Sequence, residues 1–181
     1  GFTKLFDLPR LDNFLEVGME LTKLDQPTDY SLAELNSWYI DQNIRHGYTH
    51  KGQWIGAGIG SGSNLATIDL SWLNTDHKLG LVLERERHNS DFYYLAFEHN
   101  RDWNKYWVDY TIGIQGYTQV KDLMIQGRIT RITSLNYQWV HEREPGDPYI
   151  GPGNDLINWN FNLSVIYHLP TKRRQMKEKG V

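Results

Sequence analysis

At 181 residues, with no cysteine and a formal net charge of -3, the chain has room for one domain or a piece of one. Disulfides, thiolate zinc sites and cysteine nucleophiles are excluded, and the charge argues against a general nucleic-acid binder. Hydrophobic content of 39% and a mean hydropathy of -0.61 look soluble, yet neither excludes a membrane barrel, in which only alternate strand residues face lipid. Aromatic residues make up 13%, led by tyrosine and tryptophan, and such rings suit bilayer interfaces and sugar-binding surfaces equally. No apolar run is long enough for a transmembrane helix or a signal peptide.

Gly1–Asp12 contains Pro9 and shows no clear period, so it reads as a connecting segment. From Asn13 a two-residue period begins, with Leu15, Val17, Met19 and Leu21 against Glu16, Gly18, Glu20 and Thr22. Asp25–Ser63 has no sustained alternation; Ser31 and Glu34 fit a capping box for a short helix over Leu32–Ile40. Asn64–Leu73 alternates again, a tight turn at Asn74–His77 follows, and Leu79–Arg87 continues the pattern. His88–Lys105 is long, charged and aromatic, with a short helix predicted behind an Asp91 cap. Tyr106–Tyr117 and Asp122–Trp139 form two more strands about the short connection Thr118–Lys121, with a bulge expected near Arg131–Ile132. His141–Asp155 is rich in glycine and proline and leads to Leu156–Leu169.

That last segment alternates most strictly, with Ile157, Trp159, Phe161, Leu163, Val165, Tyr167 and Leu169 against a mostly polar set. It exceeds the five or six residues usual in soluble strands and meets the roughly 9–11 that a tilted membrane strand needs. The connections alternate long and short, as in outer-membrane barrels with short periplasmic turns and long extracellular loops. With the long ones outside, Trp159, Tyr137, Trp139, Tyr106 and Tyr110 fall near the outer interface, and Trp72, Tyr117 and Tyr167 near the inner one. The predicted class is all-β, an antiparallel transmembrane β-barrel in the outer membrane of a Gram-negative bacterium. About six consecutive strands do not close a barrel, so the chain is expected to be the C-terminal part of a larger one, partnered by the remaining strands and by membrane lipid. Residues 1–181 form one barrel portion, ending in a basic tail at 171–181 that reads as a solvated end.

The glycine- and ring-rich run Arg45–Ser63 carries the candidate chemistry. Arg45 and Lys51 supply charge, His46 and His50 supply hydrogen-bond donors, and Tyr48 and Trp54 offer stacking faces. His46 and His50 are four apart, but Gly47 and Gly52 oppose a helix there and no HExxH motif is present, so no metal is assigned. Gly56–Gly62 lacks the ending of a phosphate loop, so no cofactor is assigned either. Carboxylate pairs such as Glu84/Glu86 or Glu16/Glu20 could serve a hydrolase if suitably spaced, which keeps an outer-membrane hydrolase or a lipid- or glycan-modifying enzyme, using loop histidines and lumen carboxylates, as the competing class.

The segment Tyr39–Asn64 resembles the capsule-assembly Wzi family of outer-membrane proteins. The residues that carry the resemblance are Arg45, His46, Gly47 and Tyr48, then Gly52, Gln53, Ile55 and Gly56, and finally Gly60 with Ser63. The resemblance implies a large barrel that holds capsular polysaccharide at the cell surface in the manner of a lectin, without catalysis. On it, Arg45, His46, Tyr48, His50, Lys51 and Trp54 become the expected binding residues for capsular or other acidic polysaccharide. The chain departs from the usual barrel ending, which is aromatic, by running through the basic tail to Val181.

Overall fold

A computed structural model describes residues 1–8, 13–26, 37–41, 43, 47–96, 106–139 and 155–169. Seven strands form one antiparallel sheet in chain order: β1 (Phe2–Leu8), β2 (Asn13–Lys23), β5 (Asn64–Leu73), β6 (His77–Arg87), β7 (Val108–Val120), β8 (Leu123–Leu135) and β9 (Leu156–Tyr167). Between β2 and β5 a separate two-residue hairpin pairs β3 (Thr49–His50) with β4 (Gln53–Trp54), and after β6 comes the short helix α1 (Ser90–Ala96). The sheet is not closed: β1 and β9 are its edges.

The register is continuous, so one row of partners crosses all seven strands: Lys4, Val17, Leu70, Leu81, Ile114, Ile129 and Phe161. Because strand side chains alternate, this row defines one face, and it is apolar. The opposite face holds the row Gly18, Asp69, Val82, Gly113, Thr130 and Asn160. All seven strand carboxylates lie on the polar face: Asp7, Glu16, Glu20, Asp69, Glu84, Glu86 and Asp109. Three of them are held by neighbours on the same face. Lys78 bridges Glu16 at 2.9 Å and Arg128 bridges Glu84 at 3.0 Å. Ser71 Oγ and Gln115 Nε2 donate to the two oxygens of Asp69.

The apolar face is not covered. Leu163 and Phe161 are 76% and 71% exposed, and Ile114, Leu79, Ile112 and Leu70 are exposed with them. The clustered hydrophobic core among the described residues lies at the end of the sheet, where Tyr93, Tyr106 and Val108 are buried together beside Tyr94 and Trp139. An apolar face this broad exceeds what a monomer in water normally presents.

Several expectations from the sequence need correction. The strand count is seven, because Phe2–Leu8 is a strand and not a connection. Its alternation is disguised by Lys4 on the apolar face, where the ammonium lies 4.9 Å from the Phe6 ring, and by Leu5 on the polar face. Strand β8 ends at Leu135 instead of Trp139, since Asn136, Gln138 and Trp139 all take positive φ and Tyr137–Trp139 is a 3-10 turn. No bulge interrupts it: the β7–β8 pairing runs unbroken from Val108 opposite Leu135 to Val120 opposite Leu123. Tyr106, Tyr137 and Trp139 lie outside the strands, so they belong to the end cluster and not to an outward aromatic girdle. The cap of α1 is Asn89, whose Oδ1 accepts the Phe92 N–H at 3.1 Å, and Asp91 is free for another task. The expected helix over Leu32–Ile40 falls mostly outside the described residues, and 38–39 form a turn. The basic tail lies outside the described residues as well.

Close packing across the polar face sets a testable limit. A Cβ on Gly80 would run into Ser71 Oγ, and one on Gly113 would sit 2.5 Å from Thr130 Cγ2. Gly80→Ala should lower stability by about 1–3 kcal/mol, as overpacking does. Adding Ser71→Gly should bring the loss below the sum of the two single losses, measured as urea midpoints in a double-mutant cycle.

Candidate functional site

The end of the sheet where the long connections meet is held together by few polar residues. Asp91 accepts the Gln26 N–H at 2.9 Å on one oxygen and the Ser37 hydroxyl at 2.6 Å on the other. The Ser90 N–H donates to Gly62 O at 2.7 Å, and the Asn89 N–H to Ser63 Oγ at 3.0 Å. Gly62 takes φ +67 and has Asn89 Oδ1 2.6 Å from where a Cβ would stand, so no larger residue fits. Asp25, almost fully buried, receives Arg87 at 2.5 Å and the Asn64 amide at 2.7 Å. The first long connection is thereby tied to the second.

The second is tied to the third through rings. His88 stacks on Trp107 at 4.0 Å, and Trp107 meets Tyr137 and Trp139 edge-on at 5.1 and 5.3 Å. The Tyr106 hydroxyl donates to Tyr94 at 2.6 Å, and burial, reinforced by that bond, pushes the Tyr106 pKa well above the usual tyrosine range. Asn136 closes the set, donating from its side chain to Tyr106 O and from its backbone to Asp155, each at 3.0 Å. His88 Nε2 also lies 3.0 Å from Asp109, and its Nδ1 is 3.4 Å from Glu86.

The first long connection also carries the β3–β4 hairpin. Lys51 and Gly52, its two central residues, both have positive φ (51 and 79), as a type I′ turn requires. Thr49 stands opposite Trp54 and His50 opposite Gln53. The Ile55 N–H donates to Tyr48 O at 2.9 Å, which extends the ladder by one pair.

The hairpin is anchored by Tyr39, a residue at φ 67 that an aromatic side chain rarely adopts. Its carbonyl accepts the Tyr48 N–H at 3.0 Å, its hydroxyl accepts the Ala57 N–H at 3.2 Å, and its ring lies 6.1 Å from Trp54. A Cβ on Gly56 would sit 2.5 Å from that ring, and one on Gly47 would collide with the Tyr39 carbonyl. Two of the motif's glycines are therefore there to seat one tyrosine.

Of the six candidate binding residues, Arg45 and His46 lie outside the described residues. Tyr48, His50, Lys51 and Trp54 are all exposed on the hairpin. By register they do not form one surface. Tyr48 and His50 share a side with Gln53 and Ile55, whereas Trp54 faces the other way with Thr49, towards Tyr39 and Gly60. Tyr48 and Ile55 are 66% and 59% exposed and make the open apolar contact surface; Trp38 is exposed nearby in sequence to the anchor. Tyr39, Ile55 and Asp91 were absent from the expected set. The paired glycines at 47 and 56 were the signal for Tyr39. Nothing in the sequence marks Asp91 as more than a helix residue.

Chemically, the hairpin can offer a tyrosine face, an imidazole and an ammonium to a ligand. Of the strand carboxylates proposed for acid–base work, Glu16 pairs with Lys78 and Glu84 with Arg128, and Glu86 lies beside His88. Among the described residues no group of three His, Asp or Glu side chains is arranged to hold a metal, and no helix is long and apolar enough to cross a membrane.

The fold defined by these strands is all-β, a single antiparallel meander with one apolar and one polar face. Comparison of the chain with protein families, with curated proteins and with solved structures finds no match in any of the three.

Tyr39→Ala should release the hairpin and speed trypsin cleavage after Lys51 at least tenfold, whereas Tyr39→Phe, which loses one hydrogen bond worth about 1 kcal/mol, should speed it about fivefold. Asp91→Ala should raise hydrogen exchange at Gln26 by a similar or larger factor, since it leaves the Gln26 N–H and the Ser37 hydroxyl without their acceptor.

Proposed function

We propose that the chain is part of an outer-membrane β-barrel of the capsule-assembly Wzi type, which holds acidic polysaccharide at the cell surface without catalysis. The observation that carries this reading is the division of the sheet. Every strand carboxylate is on one face, while the other exposes a continuous field of Leu, Ile, Val, Phe and Trp. Water solvates one of these faces and hydrocarbon the other, and a spanning sheet avoids unpaired backbone only by closing on itself. In this reading further strands of the same barrel join β1 and β9.

The alternation of connections adds support. β5–β6 and β7–β8 are joined by tight turns, and β2–β5, β6–β7 and β8–β9 by long segments gathered at the other end. The long end faces outward in this reading, and its β3–β4 hairpin presents Tyr48, His50 and Lys51 to the glycan, with Arg45 and His46 assigned beside them from the sequence. Stacking of a ring on a sugar face, with cations meeting acidic groups, gives binding spread over several modest contacts.

Two measurements test the proposal. Because the chain has no cysteine, a single Leu163→Cys can carry an environment-sensitive dye, with Asn160→Cys as the polar-face counterpart. In reconstituted bilayers brominated acyl chains should quench the label at 163 and spare that at 160; equal quenching at both would remove the membrane reading. For the glycan, Tyr48→Ala should weaken binding of an acidic polysaccharide about fivefold, corresponding to about 1 kcal/mol for one lost aromatic contact. Trp54→Ala should cost less, since its ring leans on Tyr39. Unchanged affinity in the Tyr48/Lys51 double variant, with the barrel inserted, would take the hairpin out of the binding site.

A further inference from the structure

The apolar face carries a charge pattern of its own. Five of its strand positions are permanently cationic, Lys4, Lys23, Arg85, Arg87 and Arg131, and none is acidic. Lys23 and Arg87 reach Asp25 at 3.6 and 2.5 Å, and Lys4 lies over Phe6. Arg85 and Arg131 have no carboxylate within ion-pair distance among the described residues. Each stands directly across from a ring: Arg85 opposite Tyr110, and Arg131 opposite Trp159. Both lie in the halves of their strands that run into the long connections, Arg85 two residues and Arg131 four residues before the end.

Along the same face from Arg131, Gly116 and Gly127 stand opposite each other on β7 and β8. Their missing side chains leave an apolar groove of about 460 Å³ between Leu79, Ile114, Phe161 and Leu163. Gly127 is four strand residues from Arg131, a distance of roughly 13 Å.

An arginine aimed at hydrocarbon is costly unless its charge meets an anion at the bilayer interface, the level at which tyrosine and tryptophan collect. Two such arginines with ring neighbours, and a groove leading into the apolar zone, match one kind of occupant. We propose that Arg85 and Arg131 bind the phosphate of an anionic glycolipid in the leaflet on the long-connection side, with one acyl chain lying in the Gly116–Gly127 groove. This rests on the membrane reading above. It differs from the polysaccharide site in face, ligand and residues.

The test is native mass spectrometry of the intact protein extracted from membranes, titrated with lipid A or with its dephosphorylated form. The wild type should retain the phosphorylated lipid preferentially. Arg85→Gln and Arg131→Gln should each weaken that retention about fivefold and the double variant roughly 25-fold, from the strength of one cation at a lipid surface. Lys121→Gln, in the tight β7–β8 turn at the other end, should leave it unchanged. Gly127→Leu, whose Cβ has room beside Asn162 O at 3.7 Å, should fill the groove and weaken both lipids alike. A double variant that keeps the wild-type preference, or a Lys121→Gln that loses as much, overturns the site. If the dye at position 163 is quenched while the preference is unaltered, only the lipid site falls; an unquenched dye removes the membrane reading beneath it.

Discussion

The molecule depends on one constraint, the strict two-residue period carried without interruption through seven paired strands. The backbone ladder forces neighbours to opposite faces, and the sequence loads one face mostly with apolar side chains and the other with all the strand carboxylates. Ordinary sandwiches resolve this by pressing two apolar faces together. Here no second sheet lies against the apolar face among the described residues, and the buried hydrophobic cluster is at one end. Among the described residues the apolar face is thus left without a second layer against it.

The end of the sheet follows from the same constraint. Strands that end on long connections leave backbone groups and charged side chains to be satisfied. Asp25, Asp91, Asn89 and Asn136 do this by receiving or donating across connections distant in sequence. With the ring cluster from Tyr93 to Trp139 they fasten this end of the sheet, and within the first long connection Tyr39 holds the exposed hairpin.

Strict alternation made much of this legible in the sequence. Asn64–Leu73 matches its predicted bounds, and Leu156–Tyr167 falls two residues short of them; alternation is strict from Ala66 to Trp72 and from Ile157 to Val165. Where a single residue crosses to the wrong face, pattern reading fails: Lys4 and Leu5 hid β1, and Arg131 beside Ile132 imitated a bulge in a register that is unbroken. Tyr106 and Trp139 show a second limit. Periodicity counts residues but cannot see the positive φ at Asn136 that ends the strand and turns rings inward. In the hairpin the residue types could be read but not their sides, since the turn at Lys51–Gly52 decides which residues face together.

The seamless register has a consequence for how such a sheet assembles. A slip of one residue between neighbours would turn every side chain of the slipped strand over. For β2 that would send Glu16 and Glu20 to the apolar side and Leu15, Val17 and Met19 to the wet one. Misaligned pairings are therefore penalised along their whole length, and the error grows with each strand added to it. Every correctly seated strand becomes a template that proofreads the next, so a meander in chain order can find its alignment one hairpin at a time.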